Sequence, residues 1–199
     1  MAKIVDKVQK RKDIALSCKK LFIQKHINNV TISEVAKTAG VGKGTVYDYF
    51  KNKEDIVFEI VNILMQEHNE AKKQKIQQVK TTKEKIKIFY DFFYSEEDAE
   101  LRELYKQFIS ISLVNPQEEM LKFNTECISA YFSWFCEILQ EGVEKGELKA
   151  EAIELARGMF VFGEGVFISS SITNTIDDLQ KEITTYLDLV FALIEVKNV

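Results

Sequence analysis

The chain has 199 residues, 46 % of them hydrophobic, which is enough to bury a core in one or two domains. Its three cysteines show no CxxC spacing, which argues against a disulfide framework or a zinc site, and no run approaches the roughly 18 apolar residues that a membrane span needs. The net charge of -4 divides into +6 for residues 1–55 and -10 for residues 56–199, so we expect a basic head that meets a polyanion and an acidic body that does not.

Helical spacing dominates the hydrophobic pattern. Apolar residues recur at i, i+3 and i+4 along most of the chain, whereas the alternation typical of strands is hard to find. The sequence therefore predicts an all-α protein. Its first residues, MAKIVDKVQKRKD, lack the apolar stretch of a signal peptide, so we also expect a cytoplasmic protein without a membrane segment.

The first two predicted helices are short. The first covers residues 11–25 and ends near His26, and its apolar face consists of Ile14, Cys18, Leu21 and Phe22. The second begins at Thr31, which has the spacing of a capping box with Glu34. It ends at Gly40, which suits the left-handed residue that closes a helix.

The third predicted helix has an unusual composition. Its sequence is VGKGTVYDYF, and Gly42 and Gly44 each weaken a helix by roughly 1 kcal/mol relative to alanine. Val46 and Phe50 lie four residues apart and are predicted to point inward, while the opposite face has no aliphatic residue to bury. A core helix avoids this composition, so we expect a partner outside the chain to compensate for it.

A short helix, a turn with glycine and a second short helix predict a helix-turn-helix, here at about residues 32–51. The second helix of such a motif enters the major groove of DNA with its N-terminal residues leading. Small residues let the backbone approach the duplex, and Lys43 can reach a guanine edge or a phosphate. Further contacts with the DNA backbone are expected from Thr45, Tyr47, Tyr49 and Lys53. Any one of these residues could instead belong to a solvent-exposed helix whose tyrosines pack against the core. That alternative does not explain why all of them occur together at these spacings.

Residues 11–55 resemble the DNA-binding domain of the TetR family of transcriptional regulators. The matching residues are Ile14, Leu21, Phe22, Thr31, Ile32, Val35, Ala36, Ala39, Gly40, Val41, Lys43, Gly44, Thr45, Val46, Tyr47, Tyr49, Phe50, Lys53 and Glu54. The resemblance covers about a quarter of the chain; beyond it, only the helical organisation and the phrase EGVEKGEL are similar. It implies a homodimeric regulator, usually a repressor, whose C-terminal domain binds a small molecule.

The resemblance also implies roles for individual residues. Lys43, Gly44 and Tyr47 would lie nearest the bases, and Ser33 would lie at the edge of the groove. The residues that would hold phosphates are Thr31, Thr45, Tyr49 and Lys53.

Three residues depart from the family pattern. Gly42 stands where the family usually has serine, which removes a helix cap. His26 stands where the family usually has glycine, which puts the geometry of the first turn in question. Asp48 is an acid on the face expected to meet DNA, and it either accepts from a cytosine amino group or points past the duplex into solvent.

The remaining helices form the body. A fourth helix at residues 52–79 leads from the head into it, and further helices are predicted at 83–94, 96–113, 117–142, 150–172 and 176–196. We therefore predict an N-terminal three-helix helix-turn-helix DNA-binding domain at residues 1–55. A C-terminal helical bundle for ligand binding and dimerisation follows at residues 56–199. No cofactor or metal is expected.

The body is rich in aromatic residues, most of which are expected to form its core. Pockets between bundle helices are common ligand sites and are mostly apolar, so a flat or greasy ligand fits better than a sugar or phosphate. The candidate ligand-binding residues are Phe108, Phe123, Trp134 and Glu164. Glu164 stands alone among apolar residues and has three interpretations: it binds a cationic ligand, pairs with Arg157 or faces solvent.

The last predicted helix has a broad apolar face that consists of Leu179, Ile183, Leu187, Val190 and Ile194. Such a face suits a dimer interface, and Gly163 would permit close helix packing across the same seam. The predicted interface residues are Gly163, Leu187, Val190 and Ile194. Packing within the same subunit is the alternative.

Together these features predict a sequence-specific DNA-binding transcriptional regulator. We expect a homodimeric repressor that a small, largely apolar ligand releases from a palindromic operator. A helical enzyme is the rival from another class, but the chain has only two histidines, no nucleophile motif and no metal-ligand pattern. A helical scaffold protein without DNA binding is the third alternative.

Overall fold

The computed structural model describes residues 6–114, Pro116 and residues 118–196. This part of the chain is all-α, as predicted: it forms no strand, and its β-type pairing is one isolated bridge between Leu148 and Glu195. Its α-helices, in chain order, are α1 (Lys7–Ser17), α2 (Lys19–Lys25), α3 (Ile32–Ala39), α4 (Lys43–Tyr49), α5 (Lys53–Gln78), α6 (Thr82–Asp91), α7 (Ala99–Val114), α8 (Glu118–Glu144), α9 (Ala152–Ile172) and α10 (Leu179–Ile194).

The helices group into two compact units. The first unit contains the residues up to Asn69 together with Glu100–Leu121, and the second contains Glu70–Ala99 together with the residues from Lys122 onward. The predicted boundary after Asp55 falls within α5, so the predicted head is one part of the first unit. That this head acts as a separate DNA-binding domain stays a prediction.

The helix predicted for residues 11–25 is in fact two helices. α1 and α2 meet at Cys18, whose backbone N–H donates to the carbonyls of Ala15 and Leu16. The Cys18 side chain is fully buried, and its thiol lies 3.7 Å from the carbonyl oxygen of Val35 in α3. Burial raises the pKa of this thiol. Cys18 is therefore a core residue of the first unit.

The turn after α2 is held by a residue from much later in the sequence. His26 has φ 56° and ψ 151°, a conformation that is nearly confined to glycine. On either side of it, the buried side chain of Gln107 accepts from the Ile27 amide at 2.9 Å and donates to the Phe22 carbonyl at 3.1 Å. Histidine thus adopts the backbone conformation that the family's usual glycine would adopt.

The core of the second unit is rich in aromatic rings. Phe89 meets Phe135 and Trp134 edge to face, with ring centroids 5.4 Å and 4.8 Å apart. Gly163 of α9 lies directly against this core, because a Cβ there would come within 2.6 Å of a ring carbon of Phe93. The close approach of these elements depends on the absence of a side chain at that glycine.

These positions correct the predicted dimer interface. Leu187 and Ile194 are 1 % and 3 % exposed and belong to the core of their own subunit. Val190 packs against the same core, and Gly163 is covered by aromatic rings. The apolar face of α10 therefore packs within the subunit, which is the alternative that the sequence left open, and the buried Leu187, Ile194 and Gly163 are not available to a second copy. That the half-buried Val190 contributes to a dimer interface stays a prediction.

Helix α9 is unusually apolar for its exposure. It has 21 residues, and its most apolar stretch has a mean hydropathy of 1.2. Only 22 % of that stretch is buried. Contrary to the expectation from the sequence, length and composition alone would let this helix cross a membrane. That is weak evidence for a span, because core helices of soluble proteins pass the same test. The exposed apolar side chains of α9 include Val161 and Ile172.

Candidate nucleic-acid interface

Helix α3 begins with the capping box predicted for Thr31 and Glu34. The Glu34 amide donates to Thr31 Oγ1 at 3.3 Å, and the Thr31 amide donates to Glu34 Oε2 at 2.9 Å. Lys25 pairs with the same carboxylate, and its hydrogen bond, followed by those from Thr31, lowers the pKa of Glu34 to about 2. The Thr31 hydroxyl also donates to Glu34 at 2.8 Å, so its proton is engaged in the cap. The predicted contact of Thr31 with a phosphate stays a prediction.

The turn between α3 and α4 depends on Gly40. This residue has φ 66° and ψ 32°, the left-handed conformation that the sequence predicted. The backbone N–H groups of Gly40 and Val41 both donate to carbonyls of α3, and the Val41 amide donates to the Ala36 carbonyl at 3.0 Å. α3 and α4 then pack against each other as the two helices of a helix-turn-helix.

Helix α4 has one buried side and one exposed side. Val46 and Phe50 are 0 % and 2 % exposed, as predicted. The residues exposed on and beside the outer face are Ser33, Gly42, Lys43, Gly44, Tyr47 and Asp48, with Thr45 and Tyr49 half-buried at its border. Tyr47 is 60 % exposed, which is unusual for a large aromatic side chain. As predicted, the residue before α4, Gly42, provides no side-chain cap.

Gly44 is not required by the packing of the subunit. A Cβ added there would have no atom within 4 Å, and its backbone does not adopt a positive φ. Nothing within the described part of the chain therefore explains a residue that weakens the helix. A glycine on an exposed helix face does allow another backbone to come close, which is what the approach of a DNA duplex requires.

Arg11 of α1 fixes the end of α4, and sequence reasoning missed it. Its guanidinium donates to the carbonyl of Tyr49 and forms ion pairs of 2.8 Å with both Asp55 and Glu59 of α5. Its Cζ also lies 4.3 Å from the centroid of the Phe50 ring. The two carboxylates stand one turn apart on one helix face, and this spacing could have indicated a basic partner.

Lys53 also has a role inside the chain. Its ammonium donates to the carbonyls of Asn28 at 3.3 Å and Val30 at 3.4 Å, so it holds the segment that precedes α3. Asn52 caps α5, because its Oδ1 accepts from the Asp55 amide at 2.8 Å. A contact between Lys53 and a phosphate stays a prediction, but its replacement would also disturb the motif itself.

The predicted ligand-binding residues do not form one cluster within either unit. Phe108 lies in the first unit, where it is buried and stacks on Phe58 with ring centroids 6.2 Å apart. Phe123, Trp134 and Glu164 lie in the second unit and are half-buried. Arg157, one suggested partner of Glu164, places its guanidinium 3.4 Å from the centroid of the ring of Phe132. The assignment of these residues to a ligand stays a prediction.

Comparison with known proteins points to one family. The family model described as bacterial regulatory proteins, tetR family, matches residues 18–60. The fatty acid metabolism regulator protein of Bacillus subtilis (strain 168) is 31 % identical over 157 residues, which make up 75 % of this chain and 75 % of that protein.

Solved structures share the fold. A TetR family transcriptional regulator from Cytophaga hutchinsonii superposes with a TM-score of 0.78 at 20 % identity, over 98 % of this chain and 100 % of that chain. The transcriptional regulator FadR from Bacillus subtilis, in complex with stearoyl-CoA, superposes with a TM-score of 0.63 at 23 % identity, over 90 % of this chain and 97 % of that chain. At these identities the likeness concerns the fold alone.

Proposed function

Since this chain belongs to the TetR family of bacterial transcriptional regulators, we propose that it is a homodimeric repressor that a small, largely apolar ligand releases from a palindromic operator. Membership of the family makes it a DNA-binding transcriptional regulator. The dimer, the symmetry of the operator, the effector and a cytoplasmic location are the proposed parts. The observation that carries the proposal is the exposed face of α4, where a glycine without any packing role lies between Lys43 and Tyr47.

The proposed DNA contacts follow from the position of each residue on this face. Lys43, Gly44 and Tyr47 are exposed and would meet the bases, and Ser33 would lie at the edge of the groove. The residues proposed to hold phosphates are Thr31, Thr45, Tyr49 and Lys53. Lys43 is the best position for a test, because Lys53 also supports the motif internally.

The proposed dimer uses the outer surface of α9 and α10, two helices that pack against each other. Val161, Leu189 and Leu193 are 49 %, 64 % and 70 % exposed there. Gly158 and Gly165 lie on either side of Val161, and a Cβ added to either glycine would meet no atom within 4 Å, so a second helix can approach closely. A second copy on this surface would also account for the apolar character of α9.

A dimer is needed because one short recognition helix gives poor specificity. Two copies of α4 related by a two-fold axis would read a near-palindrome with half-sites about 34–36 Å apart. Loss of the dimer is therefore expected to abolish specific binding and to leave the weaker, salt-dependent binding to any DNA.

The proposed effector is largely apolar. The second unit has an aromatic core, the Bacillus subtilis relative is a fatty acid metabolism regulator, and the FadR structure from the same organism was solved with stearoyl-CoA. A ligand can shift the regulator only by as much as it prefers one arrangement over the other. A tenfold loss of DNA affinity needs about 1.4 kcal/mol of coupling, and operator DNA must then weaken ligand binding by the same factor.

Fluorescence anisotropy tests the proposal, with duplexes that the protein itself selects from a random pool and two salt concentrations. We expect a palindromic consensus, and Lys43→Ala should cost about 1–3 kcal/mol at one base position. Lys73→Ala removes the same charge from an exposed position of the second unit and serves as the matched control. Equal binding by both variants would mean that Lys43 does not contact a base, and a pool without a consensus would contradict the palindromic operator.

A further inference from the structure

A lysine lies in the interior of the second unit. Lys72 of α5 is 3 % exposed, and its ammonium donates to the carbonyl of Phe89 at 3.1 Å. The same nitrogen lies 5.2 Å from the ring centroid of Phe89 and 5.8 Å from that of Tyr131, within the range of cation–π attraction. Lysine is almost never fully buried without a paired charge, so this side chain calls for an explanation.

The surroundings of Lys72 leave its charge poorly compensated. Burial lowers the pKa of this ammonium to about 8, although the nearby Asp91 and Asp98 act in the opposite direction and Lys75 adds to the lowering. Of its three N–H groups, one has an acceptor among the described residues. The Lys72 ammonium therefore has N–H groups that could donate to a bound ligand.

A second unused group lies beside it. The hydroxyl of Tyr131 is buried and has no hydrogen-bond partner in the described part of the chain. An unpaired buried hydroxyl is costly, and native proteins seldom keep one without a function. The Lys72 ammonium and the Tyr131 hydroxyl are both hydrogen-bond donors, and the ammonium lies 5.8 Å from the centroid of the Tyr131 ring. The rings of Phe89 and Trp134, 4.8 Å apart, provide an apolar lining next to them.

We propose that Lys72 and Tyr131 bind the carboxylate of an otherwise apolar effector, whose hydrocarbon part packs against Phe89 and Trp134. This inference rests on the proposed function, since it assumes that the second unit receives an apolar ligand. It adds the chemical class of the head group and the two residues that recognise it. Tyr131 and Trp134 are half-buried, so they form the more exposed side of the proposed site.

The head group is an anion and not a cation for a physical reason. The ammonium of Lys72 already lies against the rings of Phe89 and Tyr131, so a cationic ligand would have to displace it from them. Asp91 and Asp98 attract this ammonium through their charge. A ligand carboxylate would add a charged acceptor at hydrogen-bond distance, and it would give the Tyr131 hydroxyl a partner. Charge-assisted hydrogen bonds of this kind are about twice as strong as neutral ones.

The test is calorimetry of the full chain with three ligands that share one hydrocarbon chain: dodecanoate, 1-dodecanol and dodecyltrimethylammonium, each below its aggregation limit. We expect dodecanoate to bind most tightly. Lys72→Met should weaken it about 10–100-fold, and Tyr131→Phe about 2–10-fold, with little change for dodecanol. Lys73→Met, at the exposed neighbouring position of the same helix, is the matched control and should change neither ligand.

Each other outcome has a defined meaning. Equal dodecanoate affinity in wild type, Lys72→Met and Tyr131→Phe overturns the head-group assignment and leaves an apolar effector standing. Preference for dodecyltrimethylammonium overturns it in favour of Asp91 and Asp98 as the recognising groups. If none of the three ligands binds, the proposal of an apolar effector is overturned as well. The proposal on DNA binding is tested separately with the selected operator. Tyr131→Phe keeps the test decisive if Lys72→Met does not fold.

Discussion

Gly44 and Gly163 both lie inside helices, but for opposite reasons. In the second unit, a Cβ at Gly163 would lie within 3 Å of the rings of Phe93 and Tyr90, so glycine is needed for the subunit to close. In the first unit, a Cβ at Gly44 would meet nothing. The crowding at Gly163 is explained by the packing of its own chain, whereas Gly44, with empty surroundings and no positive φ, is explained by the approach of another molecule.

Helix α10 likewise has leucines that pack inside the subunit and leucines that are exposed. Replacing a buried leucine gives the largest expected loss of stability. Leu187→Glu places an unpaired charge in the core and should cost about 4 kcal/mol or more, a large part of the stability of a typical domain. Leu193→Glu, at 70 % exposure, should leave a folded monomer if α10 contributes to the dimer. Circular dichroism and light scattering measure the two effects, and a folded Leu187→Glu monomer would reverse our assignment of the two faces.

A smaller effect is expected within α9, where Gly163 and Gly165 are two residues apart. Gly163→Ala forces its Cβ against Phe93 and Tyr90 and should lower the free energy of unfolding by about 1–3 kcal/mol. Gly165→Ala meets no atom of its own subunit and should lower it less, through the proposed dimer contact alone. Urea denaturation at one fixed protein concentration compares them. Equal losses in both variants would mean that crowding within the subunit is not the reason for Gly163.

The corresponding test in the first unit is Gly44→Ala. Alanine should stabilise α4 by roughly 0.5–1 kcal/mol, because nothing crowds its methyl group. It should nevertheless weaken operator binding, by about tenfold if the methyl group displaces one good contact, since 1.4 kcal/mol corresponds to that factor. Thermal denaturation and anisotropy are measured on the same preparation. A variant that is more stable and binds DNA as tightly as wild type would remove the main support for a close approach at this position.

His26 is the reverse case, a side chain where glycine would fit. His26→Gly should relieve its left-handed backbone and raise the free energy of unfolding by about 1 kcal/mol, less than the strain itself because glycine also loses more entropy on folding. His26→Ala keeps a Cβ and should give no such gain, so it controls for loss of the imidazole. Urea denaturation measures both variants, and a gain in both would assign the effect to the ring and not to the backbone.

Local patterns predicted much of the fold. The spacing of Thr31 and Glu34 predicted a capping box, Gly40 predicted the left-handed turn, and Val46 with Phe50 predicted the inner face of α4, all of which the structure confirms. Each of these features depends on residues within one or two helical turns. Sequence reasoning is strongest where the partners are so near.

The features that could not be predicted depend on distant partners. Arg11 pairs with Glu59 across 48 positions, and Gln107 binds Ile27 across 80 positions, so no local pattern identifies which residue is the partner. The apolar face of α10 was recognised from its periodicity, but periodicity says that a face is buried and not what buries it. For Leu187, the partner is the core of its own subunit and not a second copy.

The hydrogen bonds from Gln107 to the turn after α2 have a consequence during synthesis of the protein. Ile27 leaves the ribosome 80 residues before Gln107. At about 5–20 residues per second, that interval lasts roughly 4–16 s. Throughout it, the Ile27 amide lacks its Gln107 acceptor, and the unusual conformation of His26 lacks the support that Gln107 gives. We therefore expect the nascent chain to be unable to occupy an operator until α7 has emerged, so that unfinished copies do not compete with complete ones.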